Sequence, residues 1–193
     1  LLPVILTAST FPLLARLAHR ENTRFRAVLE RGITAALTAA FPLAVGGAIV
    51  APQLIHFLFG PSYLPATVSL QILLLTLLFN FPTVLLTNAV FAFNEQKKLA
   101  IFAGVTVIIN VLLNFVLIPA FGIVGSAWAT LTAQLLGNVY LWYAVQRINS
   151  FVILPRLTRI VPATLFMGTV TWLLVTAALP LLLTLALSAG LYF

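Results

Sequence analysis

The chain has no cysteine, a single methionine and only three acidic residues among 193. Without cysteine it can form neither a disulfide nor a thiolate metal site, and the sequence gives no sign of redox compartment. Charge is scarce and unevenly placed. Residues 32–94, 99–146 and 160–193 contain no Asp, Glu, Lys or Arg. Charged residues make up 7% of the chain, against about 25% in soluble domains, too few to keep a globular surface wet. There is no glycine-rich phosphate loop, no metalloprotease His-Glu pair and no cluster of metal ligands. Glu21, Glu30 and Glu95 fall in polar segments, with Glu95 remote from the other two. Hydrolytic and transferase chemistry therefore lack their reagents. The expectation is a protein that is not an enzyme and carries no cofactor or metal.

What the chain has is apolar bulk: 62% hydrophobic residues and a mean hydropathy of +1.16. A bilayer core about 30 Å thick is crossed by roughly 20 apolar residues in a helix. The first two charge-free windows each hold two crossings joined by a turn, and the third holds one and most of another. Strand-like alternation is absent, and the runs far exceed the roughly ten-residue segments of an outer-membrane barrel. The predicted fold class is all-α, a polytopic transmembrane helix bundle.

The net charge of +7 is a topology signal. Basic residues occur at Arg16, Arg20, Arg24, Arg26 and Arg31, then Lys97 and Lys98, then Arg147, Arg156 and Arg159. The connections around 60–65, 119–125 and 177–180 have none. With helices alternating in direction, every cation lies on one side, as the positive-inside rule requires. Residues 17–31, 94–98 and 147–159 are expected in the cytosol and the other three turns outside. This distribution also argues against nucleic acid as a partner.

Along the chain, Leu1 to about Leu17 reads as the end of a helix reaching the cytosol. An interfacial helix or turn follows, with Phe25, Val28 and Leu29 on one face. A span over about 33–59 is expected to kink near Pro42, and a return span over 65–93 to be interrupted by Pro82. Residues 101–118 cross outward and end at Pro119; 126–145 return, with Trp142 and Tyr143 at the interface. Residues 160–176 cross again, and 180–193 turn back. The chain starts inside an apolar stretch without an initiator Met and stops inside another, so it reads as a piece of a longer protein. The expected domain is 1–193, with about five full spans and partial helices at both ends.

Polar side chains within spans need partners, because hydrocarbon supplies none. Thr106, Asn110 and Asn114 recur every four residues on one helix face, as do Ser126, Thr130, Gln134 and Asn138 on the next span. Asn80, Thr87 and Asn88 lie near Pro82. Such faces line a polar cavity or form helix–helix seams, and spacing leaves both open, most evenly for Asn88, Asn110 and Asn114. His56, near an outer helix end, reads as a structural hydrogen-bonder rather than a coupling group. Buried carboxylates for an ion relay are missing from this stretch.

Several motifs carry a family resemblance. Phe11-Pro12-Leu13-Leu14-Ala15-Arg16-Leu17 precedes a basic linker, and Ala40-Phe41-Pro42-Leu43-Ala44-Val45-Gly46 holds a central proline. Leu58-Phe59-Gly60-Pro61-Ser62-Tyr63 matches an outer-turn pattern. The most specific stretch is Asn110 to Thr130, with Asn-x-x-x-Asn followed by Ile118-Pro119-Ala120-Phe121-Gly122-Ile123-Val124-Gly125-Ser126-Ala127-Trp128-Ala129-Thr130. Ser126 stands where the pattern usually has alanine. Over nearly its whole length the chain resembles the C-terminal half of a polysaccharide-biosynthesis flippase, of the O-antigen or lipid-linked-oligosaccharide type. These belong to the multidrug/oligosaccharidyl-lipid/polysaccharide exporter superfamily.

The resemblance implies a MATE-like transporter half in the cell inner membrane, working by alternating access with a missing N-terminal half. The implied activity is flipping of a polyprenyl-diphosphate oligosaccharide to the outer leaflet. Its partners would be that glycolipid, membrane lipids and, in some systems, a polysaccharide polymerase. Arg16 and Arg20 are the implied cations of the cytosolic mouth, with Asn88, Asn110 and Asn114 as a polar inner surface; topology-setting arginines are the plainer reading of the first two. The alternatives are a multidrug or metabolite antiporter, a peptidoglycan-precursor flippase, for which the chain lacks a rich set of cavity arginines, and a non-transporting membrane scaffold.

Overall fold

The computed structural model describes residues 11–18, 20–176 and 190. His19, the first ten residues, the expected outer turn at 177–180 and the closing segment over 180–193 lie outside the described residues. Residues 11–17 are helical and deliver Leu14 and Ala18 into the core.

The first long helix, α1 (Asn22–Phe59), has 38 residues and so extends about 57 Å, nearly twice the hydrocarbon thickness. The linker expected to form a separate interfacial element is instead continuous with the span. No proline lies between Asn22 and Phe41, and alanines at 35, 36, 39 and 40 favour helix. Its core face runs through Phe25, Leu29, Ile33, Ala36, Ala40 and Ala44, all buried at helical spacing. The small alanines allow close approach where lipid offers no hydrophobic incentive to pack. The helix runs unbroken through Pro42 and Pro52. Pro52 cannot donate to Ala48 O, and the side chain of Gln71 supplies the missing donor at 2.9 Å.

Gly60, at φ 85°, reverses the chain into a short 3-10 helix, Pro61–Ala66. The return span is two helices, α2 (Thr67–Leu75) and α3 (Leu77–Ala92). The interruption expected at Pro82 falls at Thr76, and Pro82 lies inside α3. At Thr76 both the backbone N–H and the hydroxyl donate to Leu73 O, at 3.1 and 2.5 Å, a tight turn that competes with the α-helical ladder. The pair α2–α3 runs antiparallel to α1. Phe25 meets Phe93 edge-to-face at 5.0 Å, while Gly32 lies against Leu85 and Gly47 against Leu74.

After a turn with Asn94 at φ 58°, α4 (Gln96–Ile148) rises, reverses and descends as a helical hairpin. The helix does not end at Pro119. The reversal is at Gly122, whose φ 57°, ψ −134° is closed to residues with a Cβ. A Cβ at Gly125 would overlap the carbonyl of Leu117, and one at Gly137 would overlap the Thr106 hydroxyl, so these two glycines set how closely the arms approach. Residues 149–153 then lead into α5 (Leu154–Thr176), which packs on α1.

Among the described residues, three stretches are long and apolar enough to span a membrane, Asn22–Phe59, Pro61–Ala92 and Gln96–Ile148, the last holding two crossing arms; Ile160–Thr176 is a shorter apolar helix. The protein is a multi-pass all-α membrane bundle. The three basic segments meet at one end: Phe93 lies on Phe25, Val152 N–H reaches Glu30, and Asn149 donates to Asn22 O at 3.5 Å.

Candidate functional site

The residues singled out in the sequence do not form one surface. Arg16 and Arg20 are exposed beside the N-terminal end of α1. Asn88 is 4% exposed, buried on α3 between Leu85 and Ala92, and its Nδ2 has no hydrogen-bond partner. Asn110 donates to Thr130 Oγ1 at 3.3 Å across the hairpin, and Asn114 Nδ2 donates to Asn110 Oδ1 and O, both at 2.9 Å. Thr130 in turn donates to Ser126 O. This is a seam between two arms of one hairpin, with Asn114 Oδ1 left as a buried acceptor without a partner. Asn88 lies about six residues from the inner turn and Asn110 about fourteen from it, so the two differ in depth by roughly 12 Å or more.

The second polar stripe divides. Ser126 and Thr130 serve the hairpin, whereas Asn138 turns to α3. There Thr83 donates its hydroxyl to Asn138 Oδ1 in a short hydrogen bond, and Asn138 Nδ2 donates to Gln134 O at 2.9 Å. Thr83 and Asn138 form the link between α3 and the descending arm of α4. Spacing along the chain put Asn138 in the right stripe; its partner on another helix carried no sequence signal.

The end where the basic segments meet holds a second arrangement that the sequence concealed. Glu30, grouped with exposed linker residues by composition, is only 9% exposed. Its carboxylate accepts Arg26 Nε–H at 2.8 Å and Val152 N–H at 2.9 Å. Gln146 brackets the same loop, donating to Phe151 O at 2.7 Å and accepting Phe151 N–H at 3.2 Å. Phe151 and Ile153 are buried, and Phe151 packs on Trp142 with centroids 4.7 Å apart. The connection expected as a cytosolic loop is thus clamped between α1 and the end of α4.

Beside the Thr83–Asn138 link lies a cavity of about 590 Å³, open along one side, between α1, α3 and the descending arm of α4. Its walls are apolar, among them Leu37, Phe41, Leu78, Pro82, Leu86 and Val139, with Asn138, Tyr143 and Gln146 as polar members. A cavity of this size and apolar character accommodates chains or rings and orients them by a few polar groups. Among the described residues, no group of three or more His, Cys, Asp or Glu could hold a metal.

Comparisons with known proteins agree with this architecture. Residues 1–192 match the family model described as lipid II flippase MurJ. A solved lipid II flippase MurJ in an inward closed conformation superposes with a TM-score of 0.81 at 21% identity, covering 99% of this chain and 42% of that one. At that identity the likeness speaks for the fold alone. The probable flippase AglR of Haloferax volcanii is 30% identical over 143 residues, 72% of this chain and 30% of the relative. The probable low-salt glycan biosynthesis flippase Agl15 of the same organism is 28% identical over 125 residues, 64% of this chain and 26% of the relative. The chain therefore spans less than a third of the length of these curated relatives. With a family match that runs from the first residue to the last but one, on a bundle of the same fold, the chain belongs to the lipid II flippase MurJ family.

Proposed function

We propose that this chain is the C-terminal bundle of a two-bundle flippase that moves a polyprenyl-diphosphate-linked glycan precursor to the outer leaflet, and that the precursor is of the lipid II, peptidoglycan-building type. The observation that carries this reading is the family match over residues 1–192. It reverses the order of preference drawn from the motifs, which put surface-polysaccharide oligosaccharides first. The motifs mark a backbone design shared across the superfamily (proline, reversal glycine, small residues for close packing) and discriminate weakly between glycans. The two Haloferax flippases support a second reading, a lipid-linked oligosaccharide other than a peptidoglycan precursor.

In this reading the protein acts as a transporter and catalyses no covalent chemistry. The MATE-like relation and alternating access of one bundle against the other belong to the same proposal. Arg16 and Arg20, exposed at the cytosolic end, are the proposed gatherers of the diphosphate, since guanidinium keeps its charge and grips phosphate oxygens in pairs. For the asparagines the geometry favours a narrower role. Asn110 gives one amide N–H and Asn114 both of its own to the hairpin seam, and Asn114 Oδ1 is left as a buried acceptor.

The test is rescue of a bacterium depleted of its own lipid II flippase by the full-length protein. Restored growth supports the peptidoglycan reading. Failure there, with rescue of a strain lacking its surface-glycan flippase, supports the second. In whichever strain responds, Arg16→Ala with Arg20→Ala should abolish rescue at unchanged protein level, and double lysine should keep part of it.

A further inference from the structure

Two neighbouring spans are weakened at the same level. In α1, Pro42 has no N–H to give Thr38 O, and the Thr38 hydroxyl donates to Thr34 O at 2.9 Å. In the return span the ladder turns aside at Thr76, whose N–H and hydroxyl both go to Leu73 O. Pro82 then leaves Leu78 O without its helical donor, and the Thr83 hydroxyl donates to Phe79 O at 2.6 Å. Gly32 lies against Leu85 and Gly47 against Leu74 on these antiparallel helices, so Pro42 stands opposite about residue 78. Phe41 and Leu78 accordingly line the same cavity.

On either side of that level the helices are tied. Towards the turn at 60–66, Gln71 Nε2 donates to Ala48 O, the carbonyl that Pro52 leaves open, and so staples α1 to α2. Towards the basic segments, Glu30 accepts Val152 N–H and Gln146 brackets Phe151, which holds α1, the end of α4 and the start of α5 together. Beyond Pro42 the contact of α1 with α5 is made through glycine, Gly46 facing the Met167 methyl and Gly168 facing Val45, and so interlocks little. The ascending arm of α4 has no proline over 96–118 and is the straight member beside which the others bend.

We infer that residues 43–75 tilt as one body about the Pro42–Thr76 level, opening and closing the 60–66 end of the bundle while the basic end stays fixed. A lone break at Thr76 would be held straight by an intact α1 alongside it. With both helices weakened at one level, neither restrains the other. The lever from Pro42 to Phe59 is about 25 Å, and a bend of about 20° carries its tip about 9 Å. The motion rests on the alternating-access reading only for its purpose. It lies within one bundle, and rocking of two bundles leaves distances inside each unchanged.

Electron paramagnetic resonance of the full-length protein in lipid nanodiscs tests it. One pair of spin labels is placed on Ser62→Cys and Phe121→Cys, and a second on Thr23→Cys and Gln96→Cys at the basic end, all exposed positions. The first pair should show distances spread over about 9 Å, and the second one narrow distance. Pro42→Ala with Pro82→Ala restores both N–H donors and should narrow the first pair to a single distance. Thr76→Val removes the competing hydroxyl and should narrow it in part. Where the double variant does not elute as folded protein, each single alanine replaces it. One narrow distance for the first pair in the wild type, an equal spread in both pairs, or a spread unchanged by the alanines would overturn the hinge. A spread present in protein that flips no lipid-linked glycan would support the hinge and count against the transport reading alone.

Discussion

Gly122 and Gly125 show what single residues decide in this bundle. At Gly122 the backbone occupies a region that only glycine enters without strain, so Gly122→Ala should destabilise the hairpin by about 1–3 kcal/mol. At Gly125 the obstacle is the Leu117 carbonyl, and backbone cannot step aside as a side chain can. Gly125→Leu should therefore lower the thermal midpoint of the detergent-solubilised protein more than the same change at Gly104, where a Cβ meets nothing. Thr83 provides a milder test. Thr83→Val keeps the shape but strands Asn138 Oδ1, with an expected loss of about 0.6–1.7 kcal/mol, most of it recovered by Thr83→Ser. The glycines were legible in the sequence because reversal and close packing have few chemical solutions. The Thr83–Asn138 pair was not, because nothing along one chain announces which of several helices a polar side chain will meet.

Among elements, the loop 149–153 shows where composition misleads. Asn149, Ser150 and the flanking arginines read as a solvated connection, yet Phe151 and Ile153 are buried and Val152 N–H is held by Glu30. The clamp fixes the start of α5 against α1 and the end of α4. Glu30→Ala should release it, and amide exchange at residues 151–153 should rise at least about tenfold, with α1 elsewhere unchanged. Unchanged exchange in that variant would show that Gln146 and Phe151 hold the loop without the carboxylate. Among the described residues, the order of the apolar helices was readable from apolar run length, since the bilayer imposes a minimum length. Breaks were less so: proline marked candidate positions, whereas the observed break at Thr76 depends on a hydroxyl folding back on its own helix.

For the whole molecule, the positive charge gathered at one end is the feature that sequence and structure share most directly. Each basic segment is tied to another by a named contact, so the three must lie on one side of the membrane together. Cysteines introduced at Ser62 and Gln96 should accordingly label from opposite sides, and labelling of both from the outside would break the topology. The substrate was the least legible property, because the motifs specify how helices turn and pack, and the glycan would be met by surfaces that two bundles make together. The most direct measurement is leaflet accessibility of a fluorescent lipid II in proteoliposomes carrying the full-length protein, beside liposomes without protein and a second set holding a non-peptidoglycan lipid-linked oligosaccharide. Lipid II of the inner leaflet should become accessible outside well above the protein-free rate, with the effect lost in the Arg16→Ala, Arg20→Ala double variant. Rates equal to protein-free liposomes for both lipids, from folded protein, would contradict it.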